Sequence, residues 1–535
     1  MSSPPPAATT MTTTAAAAFG LPLDGLVAFA TRALRMLNYG AIAPVFFLYC
    51  LALGFTEVAT GTLLTSILVG DLAISLWLTT RADRFGRRRT LVIGALLKVL
   101  AGAAFALSSS FAVLVAAGVV GVISTSGGEC GPFMAVENAV LADAMQRLHA
   151  HEAEEMLAKA GVAPGSASAA ERDRAAADAA KKAAGRVAVV QGWYQAVGYL
   201  SQAAGALASG VAVTRAQAAF GVSALDSYRL VFYAYGAVGG LMALLYLCVS
   251  PASEAKLRPK AAAAAAAADE PAPLCPAWLA PLLPDAKFGL RRPESAHIVA
   301  RLCVLFTMDS FAGAFVMQTW IAFWFSRRWG FSSELVGYLL MASNVVAGVS
   351  GIAAAYFVER YGAMRTMVVS HFPSNLLLLA VPFMPTGWAA AAMLVARFCI
   401  SQMDVPARNA YVQMCVASDE KSAANGITNV IRSLGMAAAP SIVGYLSAQS
   451  VDPSPLGGFT LFGSPWLIAG VTKCVYDIAL YSLYLCDQTM KQGVENSAKM
   501  DEKEHRAEAA AAATATAEAG EGKGEGLGAR LLAKA

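Results

Sequence analysis

Charge is scarce in this chain: of 535 residues, 14% are Asp, Glu, Lys or Arg, against about a quarter in a soluble domain. Histidine occurs five times. The nine cysteines form no CxxC pair, and Cys50, Cys248, Cys399 and Cys474 lie in apolar runs. That excludes a disulfide framework and a zinc site, and the thiols read as small hydrophobes. No GxSxG, HExxH or GxxxxGK[ST] occurs, so neither an enzyme nor an ATP-driven machine is expected, and no metal or cofactor is called for. No basic stripe with interleaved aromatics occurs, which argues against nucleic acid as a partner. The first 20 residues carry no charge. They lack the basic start of a secretory signal and the arginines of a transit peptide, and read as a disordered tail.

What is abundant is apolar sequence, 57% of the chain. Runs of about 20 apolar residues can cross a bilayer core of about 30 Å, and repeated runs without strand-like alternation predict helices. Twelve spans are expected, at 25–53, 57–80, 91–109, 111–133, 187–212 and 230–250, then 298–325, 334–358, 367–385, 388–415, 424–448 and 466–486. The fold class is an all-α membrane protein of two six-helix bundles, 21–250 and 298–488. A polar helical insertion is expected at 145–185, a Pro- and Ala-rich linker at 251–297 and a low-complexity tail at 489–535. Basic residues crowd loop 81–90 and recur in loop 359–366, while loops 108–110, 384–388 and 449–465 carry none. By the positive-inside rule the basic loops, the linker and both termini face the cytoplasm. Arg215, Arg229, Arg327 and Arg328 fall on the other side, against that trend.

The two halves repeat one unit. Shifted by 276 residues, Gly54-Phe55 meets Gly330-Phe331, Gly61 meets Gly337, Asp83-Arg84-Phe85-Gly86 meets Glu359-Arg360-Tyr361-Gly362, and Arg89-Thr90 meets Arg365-Thr366, without a gap. More loosely, "GGECGPFMAVENA" and "SQMDVPARNAY" each place an acid before a proline and then an Asn-Ala pair. A duplicated six-helix unit inserted twice in the same sense is the plan of a parallel-repeat carrier.

The stretch "TTRADRFGRRRT" resembles the loop motif of the major facilitator superfamily through Asp83, Arg84, Gly86, Arg87 and Arg88; Thr79 stands where that family usually has glycine. The second copy, Glu359, Arg360, Gly362 and Arg365, is degenerate, with Ala363 and Met364 replacing the basic pair. "LFTMDSFAGAFVMQ", "HFPSNLLLL" and "RFCISQMDVPARNAYV" look like one branch of that superfamily with poorly defined substrates. The resemblance covers about residues 25–486. It implies twelve helices, alternating access, and a gate in which Asp83 meets the start of the eleventh helix near Asn425. The loop arginines could pair with Glu137 or Asp143 at the end of the fourth span, or serve only to set topology.

An ionised group at mid-bilayer costs at least about 2.5–3.5 kcal/mol, so such groups face a cavity or a partner. Arg35, Asp71, Asp309, Arg397 and Arg432 lie nearest the midplane, with Glu129 and Asp404 closer to the basic-loop side. Asp71 is therefore the first candidate for proton coupling, followed by Asp309, Glu129 and Asp404; the alternative for Asp71 is a fixed pair with Arg35 or Arg432. The resemblance places the first and seventh helices at the central cavity. The expected substrate-binding set is Arg35, Asn38, Tyr39, Asp309, Gln318, Arg397 and Arg432. Arg35, Arg397 and Arg432 exceed Asp71 and Asp309 by one charge; an anionic substrate could balance it, as could Glu129 or Asp404. Arg32 and Lys98 are shallower and expected to snorkel. Lys473 and Asp477 read as a self-neutralising pair, His371 as structural, and Trp320 and Trp324 as interfacial anchors or, alternatively, solute contacts.

The expected activity is secondary active transport of a small solute, proton-coupled, leaning towards an organic anion, by a monomer in the bilayer. Efflux of lipophilic or cationic compounds is an alternative, and a non-transporting sensor with a carrier fold is a rival of another class.

Overall fold

The computed structural model describes residues 21–121, 123, 132–159, 169–253, 293–416, 420–449 and 460–486. Among them there are helices and short 3₁₀ turns and no strand. The N-terminal half contains α1 (Leu23–Ile42), α2 (Phe46–Ala52), α3 (Glu57–Phe85), α4 (Arg87–Leu107), α5 (Phe111–Val120), α6 (Pro132–Lys159), α7 (Ala169–Phe220) and α8 (Ala224–Leu247). The C-terminal half contains α9 (Pro293–Ala314), α10 (Gln318–Trp329), α11 (Ser333–Tyr361), α12 (Ala363–Ala380), α13 (Gly387–Ser401), α14 (Asp404–Cys415), α15 (Lys421–Ser447) and α16 (Ser464–Cys486). Among the described residues ten helical stretches are long and apolar enough to cross a membrane, or eleven if the pair α1 and α2, bent by 46°, is counted as one span. The expected fourth span corresponds to α5 and the start of α6, separated by residues outside the described set. Val304 and Val369 are more than 70% exposed on the outer faces of their helices, which suits a lipid-facing surface. The protein is thus a multi-pass integral membrane protein.

The bend between α1 and α2 has an identifiable cause. Pro44 lies in the break, lacks an amide donor, and its ring clashes with the preceding turn. Near the matching place in the second half, α9 stops at Ala314 and α10 starts at Gln318. Both broken helices contribute to the central cavity.

The repeat is visible in the backbone. Helix α3 and α11 begin and end at positions related by the same 276-residue shift. Thr56 and Ser332 N-cap them, each side-chain oxygen accepting from the amide three residues on, as capping chemistry favours. The positive-φ glycines Gly54 and Gly330, and Gly86 and Gly362, are also related by that shift. Residues with side chains avoid this conformation, so these turns sit where the sequence repeat requires glycine.

Three boundaries differ from expectation. Helix α7 continues to Phe220 and α8 starts at Ala224, so the loop expected at 213–229 is a short turn at Gly221. Ser223 caps α8 by accepting from the Asp226 amide, which permits the early start. The polar segment 145–185 prolongs α6 to Lys159 and starts α7 at Ala169. The second half begins in helix at Pro293 rather than 298.

Within each half the helices pack on one another, and the halves meet chiefly through α7 on α11 and α3 on α15. Helices approach closely in lipid where small residues let backbones touch. A Cβ on Gly61 would lie 2.4 Å from the Pro440 carbonyl oxygen, and one on Gly444 2.5 Å from that of Glu57. A Cβ on Gly210 would lie 2.4 Å from the Ser333 carbonyl oxygen, and one on Gly337 2.8 Å from that of Ala206. Gly61 and Gly337 are repeat mates, so both contacts follow from one duplicated feature. They lie on the side of Gly54 and Gly330, the far side, opposite the turns at Gly86 and Gly362, the motif side. An aromatic core seals the far side: Phe47 stacks on Phe323 at 4.4 Å, and Trp320 and Trp324 lie 5.4 and 5.1 Å from Trp466. Trp320 and Trp324 are therefore not interfacial anchors. Both are fully buried, and the Trp320 indole donates to Ser447 at 2.8 Å.

Gly61→Val and Gly444→Val are expected to push α3 and α15 apart and cost about 1–3 kcal/mol, as overpacking does. Thermal unfolding in detergent checks this, with Gly351→Ala as control, where an added Cβ meets open space.

Candidate functional site

Helix depth and helix face together decide which polar groups meet. A cavity of about 660 Å³ lies between the halves, from the midplane towards the motif side. Its lining includes the cations Arg32, Arg397, Arg408, Arg432 and Lys473, the carboxylates Asp309 and Asp404, and His371. Among the described residues, five permanent cations thus face two acids.

The acids are shared. Asp309 on α9 receives a hydrogen bond from Lys473 of α16 and lies 3.4 Å from Arg408 of α14 and 3.7 Å from His371 Nε2 of α12. Asp404 pairs with Arg408 one turn on, at 3.0 Å. The other ring nitrogen of His371 lies 2.8 Å from Asp477, which also accepts from Asn375 at 2.9 Å. The expected Lys473–Asp477 pair is therefore split, because α9 and α12 pack on α16 and offer each residue a partner from another helix. His371 bridges two carboxylates at the cavity wall. Arg432 donates to Ser310 at 2.9 Å.

At the closed end of the cavity lies a row of uncharged groups. Gln202 Nε2 donates to Gln318 Oε1 at 3.0 Å, and Gln318 Nε2 to Asn344 Oδ1 at 2.9 Å. Among the described residues neither the buried Tyr39 hydroxyl nor Gln202 Oε1 has a hydrogen-bond partner. Slightly towards the motif side, Tyr199 donates to Gln402 across the halves at 2.8 Å.

A second polar cluster lies inside the N-terminal half. Glu137 accepts from Thr31 at 2.8 Å, Arg35 at 2.5 Å, Tyr194 at 2.6 Å and Tyr246 at 2.5 Å. Every lone-pair direction of this buried carboxylate is used. Lys98 is buried, donates to the Tyr235 hydroxyl at 2.8 Å and sits over its ring. Snorkelling is blocked because its helix face packs on α8, where Gly239 lies 3.2 Å from the Lys98 Cβ when given a side chain. Arg32 does not snorkel either: it stacks on Tyr194 at 4.5 Å and donates to Gln195 at 2.7 Å. Asp71 is buried, with Lys98 and Arg35 as its charged neighbours and one carboxylate oxygen unpartnered.

Of the residues singled out from sequence, Tyr39, Asp309, Gln318, Arg397, Arg432 and Asp404 line the cavity together. Arg35 and Asp71 do not, and Asn38 donates to the Tyr235 carbonyl at 3.1 Å. Glu129 lies outside the described residues, as do the side chains of Asp83 and Arg84. In the motif, Gly86 and Gly362 make the turns, and Arg87 binds Asp143 and the Ser253 carbonyl. Glu137 is taken by Arg35 instead. Arg88 is half-buried, Arg360 and Arg365 exposed, as is Glu359. Arg408, Gln202 and Asn344 were missed. The four-residue spacing of Asp404 and Arg408 on one helix was a usable signal for the first.

Two repeated helical bundles that touch at one end and enclose a charged cavity at the other define a membrane carrier fold. The chain belongs to the Major Facilitator Superfamily, whose model matches residues 165–440. It is 25% identical over 435 residues to an uncharacterized membrane protein of Saccharomyces cerevisiae, covering 79% of this chain and 88% of that one. The fold is similar to the crystal structure of the nucleoside transporter NupG, with TM-score 0.56, 13% identity, and 86% and 99% of the two chains covered. It is also similar to that of a D-xylose-proton symporter, with TM-score 0.55, 14% identity, and 85% and 96% covered. A bacterial homologue of the human drug peptide transporters PepT1 and PepT2 superposes with TM-score 0.55 at 9% identity, over 86% and 98%.

Removing one member of a buried ion pair strands the other charge, at about 3–5 kcal/mol. Glu137→Ala is expected to lower stability by that amount, with much of it recovered in Glu137→Leu combined with Arg35→Met. Thermal unfolding of the wild type and the two variants in one detergent is the check; no recovery in the double variant would refute the pairing argument.

Proposed function

We propose that the protein is a secondary active transporter that carries a small organic anion by alternating access. The observation that supports this reading is the cavity wall, where five cations stand against two carboxylates. Guanidinium forks match carboxylate and phosphate oxygens in pairs, and an anionic substrate would balance the excess. The same excess disfavours cationic compounds as cargo. The basic motif side is taken as cytoplasmic, with both termini on that side and the protein acting as a monomer. The cavity then opens inward, and the reverse state forms as the halves rock about the glycine contacts. In that motion loop 81–90 approaches the start of α15 near Asn425, with Asp83 favoured there by the helix dipole.

Proton coupling is assigned first to Asp309. Of the three candidate acids among the described residues, Asp309 and Asp404 line the cavity, and Asp309 is contacted by Lys473, Arg408 and His371. Protonating this carboxylate would release three cationic or ionisable partners at once, which ties proton occupancy to the charge offered to the substrate. Asp71 remains the second site to test. In proteoliposomes, Asp309→Asn is expected to lose accumulation driven by a pH gradient while keeping exchange of preloaded solute. Accumulation at the wild-type rate would move the assignment to Asp71, examined through Asp71→Asn in the same assay.

The anion reading itself is tested by thermal shift on the purified protein, using phosphorylated and carboxylic acids against lipophilic cations and neutral sugars. A ligand at about 100 times its Kd adds about 2.7 kcal/mol to the folded state. Stabilisation by anions, reduced in Arg432→Gln, is expected; stabilisation by cations alone would refute it.

A further inference from the structure

The cavity is chemically two-ended. On the motif-side wall, Arg408 and Lys473 are engaged by Asp309 and Asp404, Arg432 by Ser310, and Arg32 by Gln195 and the Tyr194 carbonyl. Arg397 is different. It is 7% exposed and, among the described residues, makes no hydrogen bond and has no carboxylate oxygen within 4.0 Å; its guanidinium rests over the Phe398 ring at 5.0 Å, with Nε buried and unpartnered. A guanidinium carries five donors in a planar fork, and leaving them unmatched away from water is costly. A docked oxyanion would satisfy them.

The closed end carries no charge. Gln202, Gln318 and Asn344 bond in a chain, and it terminates in an acceptor, Gln202 Oε1, that has no donor. The Tyr39 hydroxyl, 3% exposed and unpartnered, can both give and accept. A ligand hydroxyl does both as well, and could donate to Gln202 while accepting from Tyr39. A second carboxylate at this end would face an amide oxygen and no cation. A purely apolar end would leave both groups unpaired.

We infer that the transported anion is hydroxylated: a sugar or polyol bearing one phosphate or carboxylate, held at its charged end by Arg397 and at its hydroxyls by Tyr39 and Gln202. This rests on the anion reading proposed above and adds the neutral, hydroxyl-bearing end. Sites built to bond a ligand hydroxyl reject the analogue that lacks it far better than apolar pockets discriminate by size.

The test uses the full chain in detergent and matched pairs of equal length and charge: glycerol 3-phosphate with propyl phosphate, and glycerate with propionate. Glucose 6-phosphate and gluconate represent larger hydroxylated members. The hydroxylated member of at least one pair is expected to stabilise at a concentration at least tenfold lower than its deoxy partner. The pair that responds identifies phosphate or carboxylate as the charged end. Tyr39→Phe and Gln202→Leu are expected to narrow that ratio towards one, an effect that a general loss of stability would not produce. Arg397→Gln is expected to weaken both members of the pair by a similar factor. Equal binding of hydroxylated and deoxy anions overturns this inference and leaves the anion reading standing. A preference that survives both Tyr39→Phe and Gln202→Leu also overturns it. Absence of any anion effect overturns both.

Discussion

The rest of the architecture hangs on a backbone contact. At Gly61 with Gly444, and at Gly210 with Gly337, the two halves approach so closely that a single added carbon would collide with a main-chain oxygen. Lipid tails are as apolar as leucine, so apolar burial alone does not hold two helices together in a bilayer. Close packing of small residues does. Because those glycines lie towards one end of their helices, the halves are joined on the far side and diverge towards the motif side. The aromatic core of Phe47, Phe323, Trp320, Trp324 and Trp466 fills the joined end, and the cavity is the space left at the other. Rocking about such contacts needs little rearrangement inside either half, which is why the carrier reading and the packing agree.

Buried charge is treated differently in the two halves. In the N-terminal half, Glu137 is saturated by four donors from three helices and an α7 tyrosine among them. A buried carboxylate held from three helices in this way stiffens the bundle. In the C-terminal half Asp309 is shared among Lys473, Arg408 and His371, and Arg397 rests over the Phe398 ring with no salt-bridge partner among the described residues. Sharing leaves room for partners to be exchanged. Two copies of one six-helix plan have thus diverged, with one polar cluster set for rigidity and the other, in the proposed reading, for traffic. The repeat mate of Asp71 is Ala347, buried in the shared core, so the acid there is peculiar to the first copy.

Much of the fold was legible because it depends on distance along the chain. Apolar run length predicts spans, and the 276-residue register predicts which turns need glycine; both α3 and α11 end where that register requires. Depth in the membrane could be counted too; of the five residues it selected, Asp309, Arg397 and Arg432 share the cavity, while Arg35 and Asp71 do not line it. The errors came from the coordinate that counting does not supply, the direction each side chain takes around its helix and the neighbour it meets there. Lys473 and Asp477 looked like a pair by spacing, yet each turns to a different helix. Lys98 looked able to reach the headgroups, yet its face is the one pressed on α8. Trp320 and Trp324 looked like anchors by position, yet they point into the core.

By itself, the sequence determined the membrane character, the duplicated helical plan and the glycine turns, since run length, repeat register and backbone freedom are properties of the chain alone. Only the tertiary structure decided which charges neutralise one another and which is left over. That choice depends on helix rotation and on side chains from helices more than 100 residues apart, as with Lys473 and Asp309, and no local pattern encodes it.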